Sequence, residues 1–316
     1  MFALTDTAAA QRDAFGNTLV ELIDCDDRVY VLDGDMANAT KADVVAVQRP
    51  ERFLEMGIAE QNMMGVAAGM ATCGLIPWLS SFAVFLVNRD LDQLRVVVAQ
   101  PNLNVNIGSA YTGLLTNMTG KTHQEVSDIA IMRAMPNMTV LAPADAVETR
   151  LAMLAANDHD GPVYVRLTRD PYPIVCQPDY RFEIGRAVVA REGSDITIMA
   201  TGVQTIRALQ AVDLLAQTGI SAHMLHVPSL KPLDEDAIVE AAAKTGKVVT
   251  AEDHTIIGGL GGAVAEILAE KHPTPLKRVG IRDTFGESAP NDDLLEKYGL
   301  TPRHVVEAAE CLLEAV

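Results

Sequence analysis

The chain has 316 residues, of which 49% are hydrophobic and 21% charged, and its formal net charge is −17. This composition excludes a disordered chain and provides enough apolar residues for two domains. The negative charge disfavours nucleic acid or an anionic membrane as partner. No apolar run reaches the ~18–20 residues that a membrane-spanning helix needs.

Cysteine and histidine are scattered along the chain. The four cysteines form no close pair, and the seven histidines show no HxxxH or HxH spacing. We therefore expect reduced thiols and no metal site built by this chain alone. Reduced thiols are typical of the cytoplasm, which is the expected location, and the first residues lack the basic and apolar regions of a signal peptide.

Short β-branched runs alternate with helical patterns in the first half of the chain. The predicted strands are Val29–Asp33, Pro77–Ser81, Asn104–Ser109, Met138–Ala142 and Val163–Thr168. The predicted helices lie near Asp13–Asp24, Glu60–Cys73, Leu86–Gln100, Ser127–Ala134 and Ala146–Asn157. This alternation is typical of a parallel α/β sheet with helices on both faces. Asp145 is the expected N-cap of the last of these helices.

A proline-rich, polar break begins at Asp170 and runs to about Tyr180, as expected of a connection between domains. A second α/β series follows it. Its predicted strands are Ile196–Ala200, Ser221–Val227, Val248–Ala251 and Lys277–Ile281, and its helices are Val203–Gly219, Glu235–Lys244, Gly262–Lys271, Asp292–Lys297 and Pro302–Ala315. We predict an α/β protein with a first domain over 1–175, a linker over 176–185 and a second domain over 186–316.

Glu60 stands out among the polar residues because it begins a segment of small residues that reads as a buried helix. A buried carboxylate costs several kcal/mol unless a group pairs with it or it shares a proton. That cost indicates a function for Glu60.

Two other features follow predicted strands. Phe82 and Phe85 lie three residues apart after a strand, where two rings could hold a flat heterocycle, although core packing is the commoner explanation. Residues 108–124 form a long loop rich in Gly, Thr, Ser and Asn that ends near His123. A loop histidine can transfer a proton, but most are inert.

Glycines cluster at 258–262 before a predicted helix, as in a phosphate-binding turn. They lack the GxGxxG spacing and the acidic residue about 20 positions later. Tight packing of the helix on a strand is the better interpretation, and a nicotinamide cofactor is disfavoured.

Several motifs in chain order resemble the pyrimidine-binding domain of transketolase. They are Met56-Gly-Ile-Ala-Glu-Gln-Asn, Ser81-Phe-Ala-Val-Phe, Lys121-Thr-His-Gln and Ile131-Met-Arg-Ala-Met-Pro-Asn-Met-Thr-Val-Leu-Ala-Pro-Ala-Asp. The second half, notably Thr250-Ala-Glu-Asp-His and Thr284-Phe-Gly-Glu-Ser, is similar to the transketolase C-terminal domain.

The diphosphate-binding domain with which transketolases begin is missing from this resemblance. Gly34-Asp35-Met36 and Asn62 imitate the spacing of its Gly-Asp-Gly…Asn motif, but Asn62 belongs to the glutamate motif. The resemblance therefore implies the C-terminal subunit of a split transketolase. It also implies thiamine diphosphate between subunits, Mg²⁺ ligands on an N-terminal partner subunit, an α2β2 heterotetramer, and sugar phosphates as substrates.

The resemblance also implies roles for individual residues. Glu60 would hydrogen-bond a ring nitrogen of the aminopyrimidine and so assist the cofactor's own deprotonation. Phe82 and Phe85 would pack against the pyrimidine, and Asp35 would lie near the thiamine. His123 would contact the donor sugar near its reacting hydroxyl. Arg12 and Arg169 would bind the phosphate end of the sugar, for which guanidinium groups are suited.

Three positions depart from the family pattern. Asn88 replaces a tyrosine beside the pyrimidine, Tyr111 replaces a histidine beside the substrate phosphate, and Thr119 replaces an aspartate that reads sugar stereochemistry. A further phosphate contact, a serine in the family, falls near Ala39 or Thr40. These changes affect the residues that read the sugar more than those that hold the cofactor, which predicts a branched or sulfonated sugar substrate.

Three alternatives remain open. The β subunit of a 2-oxo-acid dehydrogenase decarboxylase shares the two-domain arrangement and a Gly-Ile-Ala-Glu-Gln motif, although Lys121-Thr-His-Gln and Pro136-Asn-Met-Thr-Val favour transketolase. Deoxyxylulose-phosphate synthase is related but normally carries its diphosphate domain in the same chain. A non-catalytic assembly subunit is disfavoured because Glu60, Phe82, Phe85 and His123 are all retained.

Overall fold

The computed structural model describes residues 2–314. Its strands are β1 (Ala8–Ala10), β2 (Val29–Asp33), β3 (Phe53–Glu55), β4 (Ile76–Phe82), β5 (Asn106–Ala110), β6 (Thr139–Leu141), β7 (Val163–Arg166), β8 (Pro171–Pro173), β9 (Val188–Arg191), β10 (Ile196–Ala200), β11 (Ala222–His226), β12 (Ser229–Lys231), β13 (Val248–Thr255) and β14 (Leu276–Ile281).

The α-helices alternate with these strands. They are α1 (Gln11–Cys25), α2 (Ala37–Thr40), α3 (Asp43–Gln48), α4 (Glu60–Thr72), α5 (Ala83–Asn88), α6 (Leu91–Gln93), α7 (Asp128–Ala134), α8 (Ala146–Asn157), α9 (Gln204–Gln217), α10 (Glu235–Thr245), α11 (Leu260–Lys271), α12 (Asn291–Lys297) and α13 (Pro302–Glu314). Short 3₁₀ turns cover Pro50–Arg52 and Asn117–Thr119. Within residues 2–314, no helix combines the length and apolarity needed to cross a membrane.

Two largely parallel sheets organise the chain and confirm the predicted α/β class. The first has the order β12-β6-β7-β5-β4-β2-β3, and the second has the order β14-β13-β10-β11-β9. In the first sheet only β12 is antiparallel to its neighbour, and in the second only β9 is. Strand β12 lies in the second half of the sequence, yet it extends the first sheet, so the two halves interlock.

The order of the first sheet creates a topological switch point. Strands β3 and β4 lie on opposite sides of β2: the chain passes from β2 to β3 on one side and then crosses back over β2 to β4 on the other. Ligands of open α/β sheets bind at the carboxyl ends of strands beside such a point. Strand β2 ends at Asp33 and β4 ends at Phe82, which places the predicted site residues at this position.

Two segments differ from their sequence predictions. The helix predicted over Leu86–Gln100 consists of α5, α6 and a π-helical turn, Leu94–Ala99, and it is interrupted at Arg89 and Asp90. The break predicted from Asp170 to Tyr180 contains β8, which pairs antiparallel with β1, and Val175 and Cys176 are buried. Proline is compatible with β8 because an edge strand leaves some backbone amides unpaired.

Two local predictions are confirmed. The side chain of Asp145 accepts a hydrogen bond from the Glu148 backbone amide at 2.9 Å and caps α8. The glycines at the start of α11 allow this helix to pack closely on β13, which carries Glu252. The Glu252 carboxylate accepts hydrogen bonds from the amides of Leu260 and Gly261. A carboxylate of the chain itself therefore occupies this helix N-terminus, where a phosphate could otherwise bind.

Candidate functional site

Glu60 is the first residue of α4, and only 3% of it is exposed. The turn before it contains Gly57 at φ +69°, a left-handed conformation that favours glycine. The carboxylate of Glu55 accepts hydrogen bonds from the amides of Gly57 (2.9 Å) and Asp35 (3.0 Å). Glu55, which was not predicted from the sequence, thus fixes the backbone on both sides of the site. Asp35 itself is exposed and has φ +63°.

Arg89 is the partner that the buried carboxylate requires. Its Nη1 lies 3.1 and 3.2 Å from the two carboxylate oxygens of Glu60. The guanidinium also lies over the ring of Phe85, with Cζ 3.9 Å from the ring centroid. Arg89 was not among the residues predicted from the sequence, although the cost of burying Glu60 was a signal to look for a cation.

An open cavity of about 410 Å³ adjoins this pair. Its lining residues are Ile58, Ala59, Glu60, Gln61, Asn62 and Arg89. One edge is apolar, because Ile58 is 66% exposed. A small flat ligand could therefore reach Glu60 from the surface.

Four rings predicted from sequence lie together, and one of them, Phe85, contacts Arg89 of the cavity wall. Phe82 and Phe85 are stacked with centroids 5.8 Å apart, and Tyr111 stacks on Phe82 at 3.9 Å. The ring of His123 makes edge-to-face contacts with Phe82 and Phe85, with ring centroids 5.9 and 5.5 Å apart. The contact between Phe82 and Phe85 and the two edge-to-face contacts fall within the favourable range of about 4.5–7 Å between ring centroids, whereas Tyr111 lies closer to Phe82 than this range. The structure thus joins three motifs that are far apart in the sequence.

Tyr111 also connects the rings to two arginines. Its hydroxyl oxygen accepts hydrogen bonds from Arg169 Nε at 3.0 Å and from Arg12 Nη1 at 3.3 Å. Arg12 also donates to the Ala39 carbonyl, and Arg169 pairs with Asp170 at 2.6 Å. The backbone of Tyr111 has φ +61°, which is unusual for a bulky residue and is typical of functional positions. Two guanidinium groups next to one phenol hydroxyl form a positively charged site that suits an anion.

Asn88 and Thr119 have other partners. Asn88 donates to the buried Glu125 carboxylate at 2.5 Å, and Glu125 also accepts from the Ser127 hydroxyl at 2.6 Å. Burial is the main cause that raises the pKa of Glu125, and the negative charge of Asp128 raises it further. Thr119 is exposed, and its hydroxyl lies 2.5 Å from that of Thr116. Its contact with Thr116 keeps it within the loop and does not link it to the four rings.

Residues of the second half hold the loop that carries Tyr111 and His123. Asp253 accepts a hydrogen bond from the Leu114 amide at 3.0 Å, and Asn291 accepts one from the Asn117 amide at 2.8 Å. Gly113, at φ +68°, lies so close to the Asp253 carboxylate that a side chain would collide with it. The shape of the loop therefore depends on both halves of the chain, which the sequence could not reveal.

Two buried aspartates flank the site. Burial is the main cause that raises the pKa of Asp33 to about 6 and that of Asp90 to about 8. The negative charge of Glu60 contributes to the shift at Asp90. Within residues 2–314, neither carboxyl oxygen of Asp90 has a hydrogen-bond partner. Burial therefore favours the neutral form of the Asp90 carboxyl group beside Glu60.

These residues fit the pyrimidine end of thiamine diphosphate. A buried carboxylate that opens onto a cavity can bind a ring nitrogen, and Phe85 offers a face for stacking. The structure offers no comparable set of ligands for a metal: among residues 2–314, no three His, Cys, Asp or Glu side chains are grouped to hold an ion.

The titration of Asp90 leads to a stability prediction. Since its pKa is about 8 in the folded chain and near 3.8 in the unfolded chain, only the unfolded state loses this proton between those values. Folding stability contributed by Asp90 therefore falls as pH rises from about 4 to 8. We expect Asp90→Asn to raise the melting temperature, and the gain over the wild type to grow across this range.

Asp92→Asn is the matched control, because Asp92 is 74% exposed and pairs with Arg95 at the surface. Thermal melts of both variants from pH 4 to 9 measure the effect. If the gain in melting temperature of Asp90→Asn over the wild type does not change with pH, the raised pKa of Asp90 is contradicted.

Comparisons with known proteins agree with the geometry. Residues 7–175 match the transketolase pyrimidine-binding domain, and residues 185–305 match the transketolase C-terminal domain. A 6-deoxy-6-sulfo-D-fructose transketolase subunit, SqwH, from Clostridium sp. (strain MSTE9) is 44% identical over 96% of this chain and 94% of its own length. An apulose-4-phosphate transketolase subunit from Phocaeicola vulgatus is 34% identical over 97% of this chain and 98% of its own length.

A solved structure described as a split gene transketolase, inactive beta4 tetramer, is 47% identical. It superposes with a TM-score of 0.89 and covers 98% of this chain and 99% of its own. These matches confirm both the resemblance and the transferase class predicted from the motifs. The chain therefore belongs to the transketolase family.

Proposed function

We propose that this chain is the C-terminal subunit of a thiamine diphosphate-dependent transketolase, which transfers a two-carbon ketol unit between sugar phosphates. The observation that carries the proposal is the buried Glu60 carboxylate, which opens onto a cavity beside Phe85. Thiamine diphosphate, when bound, supplies the carbon nucleophile for ketol transfer. The relatives favour this reaction over that of a 2-oxo-acid dehydrogenase decarboxylase subunit.

Glu60 would hold a proton shared with the pyrimidine ring in a site of low dielectric, where a single hydrogen bond is strong. Phe82 and Phe85 would exclude water from one side of that bond. Asp35, at the switch point, and Asn88, held by Glu125, would complete the rim of the cofactor site.

The sugar would lie between the rings and the arginines. His123, whose ring packs against Phe82 and Phe85, would contact the reacting end of the donor. Arg12 and Arg169 would bind the distant anionic group, with Tyr111 between them. Thr119, on the loop, would face the hydroxyls of the sugar.

The other half of the cofactor site would come from a second polypeptide. We propose that an N-terminal subunit carries the diphosphate-binding domain and the Mg²⁺ ligands, in a cytoplasmic α2β2 heterotetramer. The predicted boundaries, 1–175 and 186–316 with a linker at 176–185, belong to this proposal. The relatives support it, since two are named as transketolase subunits and a third is called a split gene transketolase.

Glu60→Gln tests the catalytic role of the carboxylate. Loss of its proton-sharing hydrogen bond should lower kcat of the reconstituted complex by at least ~10²-fold, as for other proton-transfer groups. Glu266→Gln makes the same chemical change at a 64% exposed position and should have no effect. Near-normal turnover by Glu60→Gln would show that Glu60 is not catalytic.

The substrate prediction concerns a non-standard sugar, branched or sulfonated. We expect the reconstituted pair to use 6-deoxy-6-sulfo-D-fructose or a branched ketose phosphate with kcat/KM at least ~10-fold above that for xylulose 5-phosphate. Such a ratio corresponds to a difference of about 1.4 kcal/mol in activation free energy. Tyr111→His and Thr119→Asp, which restore the family residues, should narrow this difference. Efficient transfer from xylulose 5-phosphate to ribose 5-phosphate by the wild type would contradict the prediction.

A further inference from the structure

Arg89 makes two contacts with the site that together resemble those of a bound heterocycle. Its guanidinium is planar, it lies on the face of Phe85, and it donates hydrogen bonds to both oxygens of Glu60. A flat ring that donates to Glu60 while stacked on Phe85 would need the same space and the same acceptor. The two groups therefore cannot occupy this position together.

We propose that Arg89 is an internal placeholder for the aminopyrimidine and that it must leave Glu60 before the cofactor can bind. This inference rests on the proposed function and adds a regulatory step to it. In the free chain, Arg89 balances the charge of a carboxylate that burial would otherwise leave uncompensated. In the assembled enzyme, the pyrimidine takes over as the partner of Glu60.

The surroundings of Arg89 allow this exchange. Its side chain is 47% exposed, and both of its hydrogen bonds to described residues end on Glu60. The backbone is anchored separately, because Gln61 Nε2 donates to the Arg89 carbonyl at 2.8 Å. The side chain can therefore turn outward into the cavity without disturbing the start of α6.

The position beside Asp90 supports the same conclusion. Asp90 follows Arg89 directly in the sequence, and its buried carboxyl group has no hydrogen-bond partner among the described residues. Arg89 nevertheless donates its hydrogen bonds to Glu60 and not to Asp90. The guanidinium is thus directed at Glu60, the carboxylate that the cofactor would require under the proposed function.

The experiment uses thiamine as the probe and the isolated full-length chain as the protein. We expect the wild type to bind thiamine weakly by titration calorimetry, and Arg89→Met to bind it at least tenfold more tightly. Without ligand, Arg89→Met should melt at a lower temperature, because Glu60 loses its partner. The double variant Glu60→Gln/Arg89→Met should lose the gain in binding.

Two further variants control the result. Arg95→Met removes a 61% exposed arginine six residues away and should leave thiamine binding unchanged. Arg89→Lys keeps the positive charge and the fold but loses the flat stacking group, so its affinity for thiamine should lie between those of the wild type and Arg89→Met. This variant keeps the test valid if Arg89→Met does not fold.

The complex with the N-terminal subunit gives a second measurement. Arg89→Met should lower the concentration of thiamine diphosphate that gives half-maximal activity severalfold. If the wild-type complex is active with the cofactor but the Arg89 variants bind thiamine no more tightly than the wild type, the placeholder role of Arg89 is overturned. The proposed function then stands. A wild-type complex without cofactor-dependent turnover would overturn both.

Discussion

Burial of the Glu60 carboxylate is the constraint on which the rest of the site depends. Removing a charged group from water is costly, so a chain that keeps one at the start of a helix must provide a partner. In this structure the partner is Arg89, whose guanidinium also lies over the ring of Phe85. The same pocket that makes Glu60 costly in the free chain makes its hydrogen bond strong once a ligand excludes water.

The sheet explains why the other groups gather around Glu60. The carboxyl ends of β2, β4 and β5 lie side by side, and the chain leaves each strand into a polar segment. Phe82 ends β4 and Tyr111 follows β5, which brings their rings into contact. The second half of the chain then shapes the loop through Asp253 and Asn291. The site is therefore a property of both domains, although most of its side chains come from the first.

Much of this arrangement could be predicted from the sequence, because hydrophobic periodicity and local capping depend on neighbouring residues. The strands near Val29–Asp33 and Ile196–Ala200 and the cap at Asp145 are of this kind. The addition of β12 to the first sheet could not be predicted, since strand pairing between domains leaves no local signal. The pairing of Arg89 with Glu60 and of Glu125 with Asn88 was missed for the same reason: these partners are 29 and 37 residues apart.

The central claim is that this chain holds one half of a cofactor site whose other half lies on a partner subunit. Titration calorimetry of thiamine diphosphate in the presence of Mg²⁺, with the wild-type chain alone and then mixed with its N-terminal subunit, tests it most directly. We predict weak binding by the isolated chain and tight binding by the mixture, with one cofactor for each pair of subunits. Tight binding by the isolated chain, or none by the mixture, would contradict it.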